Sequence, residues 1–348
     1  MAKAFAPAPL TIHNHTIQPG EQSVIFLPMP TLYDCTPLSM PVHVIRGKTP
    51  GPTLCITAAI HGDELNGIEI VRRLLKKITP HKIAGTIIAI PIVNIYGFLY
   101  QDRYLMDRRD LNRSFPGSSK GSLAARLAHL IATEIISKAT HCVDLHSGSL
   151  HRTNLPQIRT NIDNDASFTL AKTFNAPVIL HATLRDGSLR QYANEKGIPF
   201  LLYEAGESLR LDEFSIKTGL HGLLNLMQAL NIITKPSSSP LKKKTTPTTT
   251  RSSYWVRSPQ SGLIHSSKTI GKRIEKGELL AIIGNPTTTE EYKLYSPLSG
   301  IIIGKNNLPM VHEGAALFHI ASFEKLQRVE EHIEYLHEYI SDDTGDKP

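Results

Sequence analysis

The residues best suited to chemistry stand at the ends of apolar runs. His61 and Glu64 form a His-x-x-Glu pair directly after the run 53–60, and His146 follows the run 140–145. In α/β sheets ligands bind at the carboxyl ends of the strands, so these three side chains can face one point. Two imidazoles and a carboxylate form a His₂Glu ligand set, which leaves one zinc position open for water in catalytic sites. The spacing therefore predicts one Zn²⁺ per chain.

Two further acidic positions extend this set. Asp144 lies two residues before His146, hence on the same strand face, where it can accept a ring N–H and fix the tautomer. Glu204 follows the apolar run 199–203, and a carboxylate there can take a proton from water and hand it to a leaving nitrogen. We prefer Glu204 to Glu207 as the general base, because Glu204 closes the strand and precedes a glycine that permits close approach.

A cationic cluster follows the apolar run 87–93, at the same predicted sheet edge. The planar guanidinium of arginine matches a carboxylate bidentately, and asparagine adds a donor and an acceptor. The cluster therefore predicts a site for the anionic end of a substrate, with a cation able to polarise a carbonyl. Its candidate residues are Arg103, Arg109, Asn112 and Arg113.

Alternating strands and helices must position these residues. Apolar runs predict strands over 53–60, 85–91, 140–145 and 199–203, and helical spacing predicts helices over 68–78, 123–139, 170–174 and 189–196. This alternation is typical of an α/β domain with a largely parallel sheet.

The chain of 348 residues is long enough for two domains, and its composition changes after residue 234. We predict a catalytic α/β domain over 1–234, a Lys/Ser/Thr/Pro linker over 235–253, a small all-β domain over 254–321, and an acidic helix and tail over 322–348.

The predicted β domain resembles a biotinyl or lipoyl barrel-sandwich. It repeats a Ser-Pro-x-x-Gly turn at 258–262 and 296–300, which indicates two similar halves. The hairpin tip over 287–291 has no lysine to modify, so we expect a structural or oligomer-contact role instead of a carrier role. His312 and His319 in this domain are interpreted as surface or structural side chains.

The net charge of +7 does not indicate a polyanionic partner. Residues 235–257 carry six basic and no acidic side chains, whereas residues 322–348 carry three basic and eight acidic ones. The basic segment lacks the interleaved aromatic residues that stack on bases. No apolar run approaches the ~20 residues that span a bilayer. We therefore expect neither a nucleic-acid partner nor a membrane.

Cysteine usage and the first residues favour the cytoplasm. Cys35, Cys55 and Cys142 lie far apart and form no CxxC pair, as is typical of thiols in a reducing compartment. Prolines interrupt the first ten residues, so we predict no signal peptide. A homo-oligomer is compatible with the sequence.

Four motifs together resemble those of the succinylglutamate desuccinylase/aspartoacylase family, whose members are zinc amide hydrolases related to the metallocarboxypeptidases. They are His61-x-x-Glu64, Asp110-Leu-Asn112-Arg113-x-Phe-Pro-Gly117, Asp144-Leu-His146-Ser147 and Glu204-Ala-Gly206, in this order over roughly residues 50–210. The resemblance implies a zinc-carboxypeptidase-like fold, with a mixed, largely parallel sheet flanked by helices. A C-terminal β domain also fits this family.

The resemblance also implies a role for each matching residue. The zinc ligands would be His61, Glu64 and His146. Glu204 would be the general base and acid, and Asn112 and Arg113 would bind a substrate carboxylate. Arg103 best fits the arginine that polarises the scissile carbonyl, with Arg109 as the alternative.

The expected function is hydrolysis of the amide bond of a small anionic N-acyl amino acid. A metallocarboxypeptidase or a murein-peptide amidase with the same metal site is the first alternative. A non-catalytic binding module, with the β domain as its working part, is the second. The sequence does not identify the acyl group or the amino acid.

Overall fold

The computed structural model describes residues 9–234, 246–323 and 326–342. Residues 235–245 of the predicted linker and residues 343–348 of the predicted tail lie outside the described part. The helices of the described residues are α1 Asn66–Lys77, α2 Ile95–Tyr100, α3 Leu123–Glu134, α4 Asp165–Phe174, α5 Leu189–Glu195, α6 Glu213–Ala229 and α7 Leu326–Asp342.

The strands are β1 Leu10–Ile12, β2 His15–Ile17, β3 Gln22–Met29, β4 Leu38–Arg46, β5 Thr49–Ala58, β6 Ala84–Ile90, β7 His141–Gly148, β8 Arg152–Thr160, β9 Val178–His181, β10 Phe200–Glu207, β11 Thr248–Thr250, β12 Ser252–Arg257, β13 Gly262–His265, β14 Arg273–Ile274, β15 Leu279–Gly284, β16 Glu291–Tyr295, β17 Gly300–Asn306, β18 Met310–Val311 and β19 Ala316–Ser322.

One large mixed sheet organises these elements. Its main path runs β12-β19-β17-β8-β10-β7-β5-β6-β4-β3, and β9, β11 and β14 pair beside it. The centre β6-β5-β7-β10 is parallel, and antiparallel strands flank it on both sides. The predicted mixed α/β fold is therefore confirmed, and its parallel centre carries the motifs, while β9 adds parallel pairs with β8 and β11.

Helices cover both faces of the central strands. On one face α1, α4 and α6 bury Leu74, Phe174 and Leu223 against the sheet. On the other face α3 and α5 bury Ile131 and Leu189. Strands covered on both sides must be apolar throughout, which explains why the central strands have continuous apolar runs instead of alternating patterns. This three-layer core fixes the strand ends at which the motifs lie.

The C-terminal antiparallel β region joins the same sheet. A four-stranded sheet, β16-β15-β13-β18, packs through buried side chains on the strands β12, β17 and β19. The two Ser-Pro turns have the same internal hydrogen bond, from Ser258 Oγ to the Gln260 carbonyl and from Ser296 Oγ to the Leu298 carbonyl, both at 2.6 Å. This equivalence supports the internal repeat. The predicted domain limits remain a prediction.

Among the described residues, no helix combines the length and the apolar composition needed to cross a bilayer.

Candidate metal centre and active site

The three proposed ligands converge at the carboxyl ends of β5 and β7. His61, Glu64 and His146 are 3, 2 and 3 % exposed, and their ligand atoms all lie within 4.8 Å of one another. The loop that carries the first two packs tightly on α2, where a Cβ at Gly62 would lie 1.9 Å from the carbonyl carbon of Gly97. Glycine at this position therefore lets the ligand loop approach the helix.

Both imidazoles have the same orientation. The Nδ1 atoms of His61 and His146 face the Glu64 carboxylate at 2.8 and 2.9 Å. The Nε2 atom of His146 lies 2.7 Å from Asp144 Oδ2, and that of His61 lies 3.3 Å from Asp110 Oδ1. A carboxylate on the far nitrogen of each ring is the arrangement that orients histidine ligands of a metal.

The donor set fits a divalent cation. Glu64 Oε2 is buried, and its approach to His146 Nδ1 lacks hydrogen-bond geometry. Burial alone would raise the pKa of the Glu64 carboxyl, but the adjacent His61 and His146 hold that pKa well below its usual range. An ionised carboxylate and two imidazole nitrogens directed at one point are what zinc requires. The residues present therefore suit the predicted ion.

Glu204 lies beside this centre. On the parallel pair β7 and β10 it is the register partner of His146, so the predicted base and a predicted ligand are neighbours. Its Oε2 accepts a hydrogen bond from Asn154 Nδ2 at 2.7 Å, and its Oε1 lies 3.5 Å from Arg159 Nη1. Glu207 instead accepts from Asn307 Nδ2 at 2.7 Å. The structure thus places Glu204, and not Glu207, in the cavity described below.

The two candidate arginines occupy different places. Arg103 donates from Nη2 to Asp110 Oδ2 at 3.0 Å, and its Nη1 lies 3.9 Å from Glu64 Oε1. The side chain of Arg109 is 64 % exposed and pairs loosely with Asp107 at 3.8 Å. The structure therefore brings Arg103 to the candidate metal ligands and leaves Arg109 in solvent.

Asn112 and Arg113 also line this cavity. Asn112 is 6 % exposed, and its Oδ1 accepts from the backbone N–H of Leu189 at 2.9 Å. This hydrogen bond fixes the orientation of the side-chain amide, so that its Nδ2 remains available to donate to a substrate. Arg113 Nη1 donates to the Asn112 carbonyl at 2.5 Å, which holds the exposed arginine next to the amide.

A cavity of about 600 Å³ joins these residues. Among the described residues, its lining contains seven arginines and three carboxylates. The arginines are Arg103, Arg113, Arg152, Arg159, Arg185, Arg190 and Arg251. Since Glu64 is a proposed metal ligand and Asp144 contacts another, His146, the rest of the cavity is strongly cationic and suits a small anion.

A family model described as the succinylglutamate desuccinylase/aspartoacylase catalytic domain matches residues 50–230. This range covers just over half of the chain and includes every motif of the site. The chain belongs to the succinylglutamate desuccinylase/aspartoacylase family. The resemblance predicted from the four motifs is thereby confirmed.

Individual relatives agree with this assignment. An N-alpha-acetyl-L-2,4-diaminobutyric acid deacetylase from Halomonas elongata is 26 % identical over 256 residues, which cover 71 % of this chain and 75 % of the relative. The product-bound ectoine utilization protein EutE (DoeB) from Ruegeria pomeroyi has a TM-score of 0.78 at 23 % identity, covering 90 % of this chain and 98 % of that one. An aspartoacylase family protein from Mesorhizobium loti has a TM-score of 0.76 at 25 % identity, covering 92 and 100 %.

Asp110 organises more of this family site than sequence reasoning assigned to it. Its carboxylate contacts His61 and Arg103, and its Oδ1 also accepts from the backbone N–H of Asn112 at 2.8 Å. Burial would raise the pKa of Asp110, but His61 and Arg103 hold it well below its usual range. The signal was present in the sequence, because Asp110 opens the motif that contains Asn112.

The C-terminal β region supplies a wall that the sequence did not predict. Arg251, Ser253 and Trp255 alternate along one face and line the cavity together with His319. The imidazole of His319 stacks on Trp255 with centroids 4.6 Å apart, and its Nε2 lies 2.9 Å from Ser253 Oγ. Burial, with Arg159 nearby, lowers the pKa of His319 to about 3. His319 is therefore a neutral, buried residue of the cavity. The matched catalytic-domain model ends before this wall.

Proposed function

We propose that this chain is a zinc-dependent hydrolase that cleaves the amide bond of a small anionic N-acyl amino acid. The observation that carries the proposal is the meeting of His61, Glu64 and His146 with Glu204 and Arg103 in one cationic cavity. Membership of the deacylase family supports the reaction class. The first three residues would hold the ion.

When bound, zinc would supply Lewis-acid chemistry, which would make water a better nucleophile near neutral pH and polarise a carbonyl. The protein supplies the proton transfers. Glu204 accepts a proton from the attacking water and later gives it to the leaving nitrogen, so that a free amine and a carboxylate are released. Its position next to His146 keeps both transfers within the metal centre.

Arg103 and the Asn112–Arg113 pair act on the substrate's charges. Arg103 donates to the oxygen that gains negative charge as water attacks, and a preorganised donor of this kind contributes about 10²–10³ in rate. Asn112 Nδ2 and the Arg113 guanidinium bind the carboxylate of the amino acid. Asp110 keeps these groups in place through its contacts with Arg103 and the Asn112 backbone.

Arg190, another residue of the cavity lining, also favours an anion. Arg190 is 8 % exposed, and its Nη1 has no hydrogen-bond partner among the described residues. Burial and the neighbouring Arg159 and Arg185 lower the pKa of Arg190 to about 10. Guanidinium groups crowded in this way repel one another, and a substrate anion would relieve that repulsion.

A screen for amine release from N-acyl amino acids by the zinc-loaded protein tests the proposal. The panel should vary the acyl group from acetyl to succinyl and should include N-α-acetyl-2,4-diaminobutyrate, the compound named by the Halomonas relative. We expect Glu204→Ala to keep stoichiometric zinc but lose most turnover, and His146→Ala to lose both. Full zinc content in His146→Ala would overturn the ligand assignment.

Short peptides in the same panel separate the deacylase from the peptidase and amidase alternatives. The stacked rings of Trp255 and His319 line the same cavity, and a bulky aromatic wall of this kind favours small substrates. Hydrolysis of peptides with kcat/KM above that of every acyl amino acid would favour the peptidase. A zinc-loaded protein that turns over neither class would favour the binding module.

A further inference from the structure

The amide of Asn154 is placed to control the direction of the Glu204 carboxylate. Asn154 is 6 % exposed, and its Nδ2 donates to Glu204 Oε2 at 2.7 Å. The described residues also give this carboxylate an ion pair with Arg159, whose Nη1 lies 3.5 Å from Oε1. The hydrogen bond from the Asn154 side chain is thus the short, directional contact, and it leaves Oε1 as the oxygen that can accept a proton.

The local sheet geometry brings Asn154 to Glu204. On the antiparallel pair β8 and β10, Asn154 is the register partner of Gly206, while Glu204 faces Gln157 across the strands. The register shifts between these two pairs, and Gly206 has φ +70°. This irregularity carries the Asn154 side chain diagonally towards Glu204.

The C-terminal β region holds the other side of Asn154. On β17, Gly304 is the register partner of Asn154. A Cβ at Gly304 would lie 3.1 Å from Asn154 Oδ1 and 3.1 Å from His319 Cβ. Such contacts are tighter than ordinary packing, so the glycine leaves the room in which the amide sits.

We propose that Asn154 is a positioning residue for Glu204, and that the C-terminal β region acts on the catalytic step through Gly304, which leaves room for the amide. The inference rests on the proposed function of Glu204. A neutral amide suits this task, because it orients the carboxylate while competing less for its charge than an arginine in the same place would. An error of about 1 Å in the position of such a group can cost about 100-fold in rate.

The test compares Asn154→Leu with Gln157→Leu. Gln157 is a matched control because it is a fully buried amide on the same strand whose Nε2 donates to the Ile303 carbonyl at 3.4 Å and not to Glu204. We expect Asn154→Leu to lower kcat about 10- to 100-fold with KM and zinc content near those of the wild type. Gln157→Leu should keep kcat within about twofold. An equal kcat in Asn154→Leu and wild type overturns the proposal.

Two further variants cover a folding failure of Asn154→Leu. Asn154→Ser keeps a polar side chain too short to reach Glu204 and should lower kcat in the same sense. Gly304→Val should do so from the other side, by pushing the amide away. Wild-type kcat in either folded, zinc-loaded variant contradicts the role assigned to that contact.

Failure of the proposed function is distinguishable from failure of this inference. If the zinc-loaded wild type releases no amine from any substrate, the proposed function fails. The positioning role is then decided by a crystal structure of Asn154→Leu, in which the Glu204 carboxylate should leave its wild-type rotamer. An unchanged rotamer in that variant overturns the inference whatever the activity.

Discussion

Replacing Asp144 by Asn would remove one negative charge beside the proposed metal centre while keeping a side chain of the same shape. Asp144 is fully buried; its Oδ2 faces His146 Nε2 at 2.7 Å, and its Oδ1 accepts from Thr57 Oγ1 at 2.7 Å. An asparagine can present its carbonyl oxygen to His146 and its amide to the Thr57 hydroxyl, which can also accept. The substitution therefore tests the charge and not the contact.

The expected loss follows from the strength of that one hydrogen bond. A bond to a charged group contributes about 1.5–3 kcal/mol and a neutral one about 0.5–1.5 kcal/mol, so the difference is about 1–1.5 kcal/mol. At 1.4 kcal/mol per tenfold change, the zinc Kd of Asp144→Asn should rise about 5- to 12-fold. This value lies at the lower end of the about 10- to 100-fold typical when such supporting residues are removed entirely.

Competition with a chelator at fixed free zinc measures this Kd directly. At saturating zinc, kcat should return to near the wild-type value, because the substitution leaves Glu204 and Arg103 unchanged. Thr57→Val is the control: it removes the other partner of Asp144 but keeps the charge, so its zinc Kd should change less. A wild-type zinc Kd in Asp144→Asn would refute the claim that this carboxylate strengthens His146 as a ligand.

Three other outcomes follow from the placement of single side chains. Arg103→Gln should lower kcat/KM about 10²- to 10³-fold, whereas Arg109→Gln should stay within about twofold, and equal losses in steady-state assays would contradict the placement of the two arginines. Trp255→Ala should raise KM about tenfold with little change in kcat, and an unchanged KM would exclude the wall from substrate binding. Burial lowers the pKa of His332 to about 4 despite the backbone groups of Thr246 and Asn175, which raise it. The folded state therefore disfavours the proton, and stability should fall as pH drops from 6.5 towards 4. In denaturant titrations over this pH range, the free energy of unfolding of His332→Leu should fall about 3 kcal/mol less than that of the wild type. An equal fall in both proteins would refute the lowered pKa of His332.

The cluster of candidate metal ligands was predictable because its residues sit in local motifs at the ends of strong strands. His61 and Glu64 share one turn, and the apolar run before His146 is buried on both faces, so sequence spacing alone places them at one sheet edge. The neighbouring β8 carries no such signal. Pro156 and the arginines near its ends interrupt the apolar pattern of a strand that nevertheless pairs with β10 on one side and with β17 and β9 on the other.

The cavity wall was not predictable for a different reason. Ser253 and Trp255 alternate as in any half-buried strand, and alternation indicates a face without telling which surface that face meets. His319 was interpreted as surface or structural because no motif surrounds it. Its place in the cavity depends on the pairing of β17 with β8, a long-range contact that no local pattern encodes.

That pairing also determines how the molecule should unfold. Leu155 and Val178 of the catalytic part form one buried cluster with Ile301 and Ala321 of the C-terminal β region and with Val329 of α7. A hydrophobic core that crosses the predicted linker couples the two parts, so neither can lose its packing alone.

Trp255, the single tryptophan of the chain, reports on the C-terminal β region, while far-UV circular dichroism is dominated by helices of the catalytic part. We therefore expect the two signals to change with the same midpoint and slope in urea, as a single cooperative transition requires. Ile301→Ala, which opens the shared cluster, should cost about 2–5 kcal/mol and lower both midpoints together. If the tryptophan transition separates from the circular dichroism transition in the wild type, the two parts unfold independently although their strands belong to one sheet. At a urea concentration that unfolds only the C-terminal region, the loss of kcat would then measure how far Glu204 depends on Asn154 being supported at Gly304.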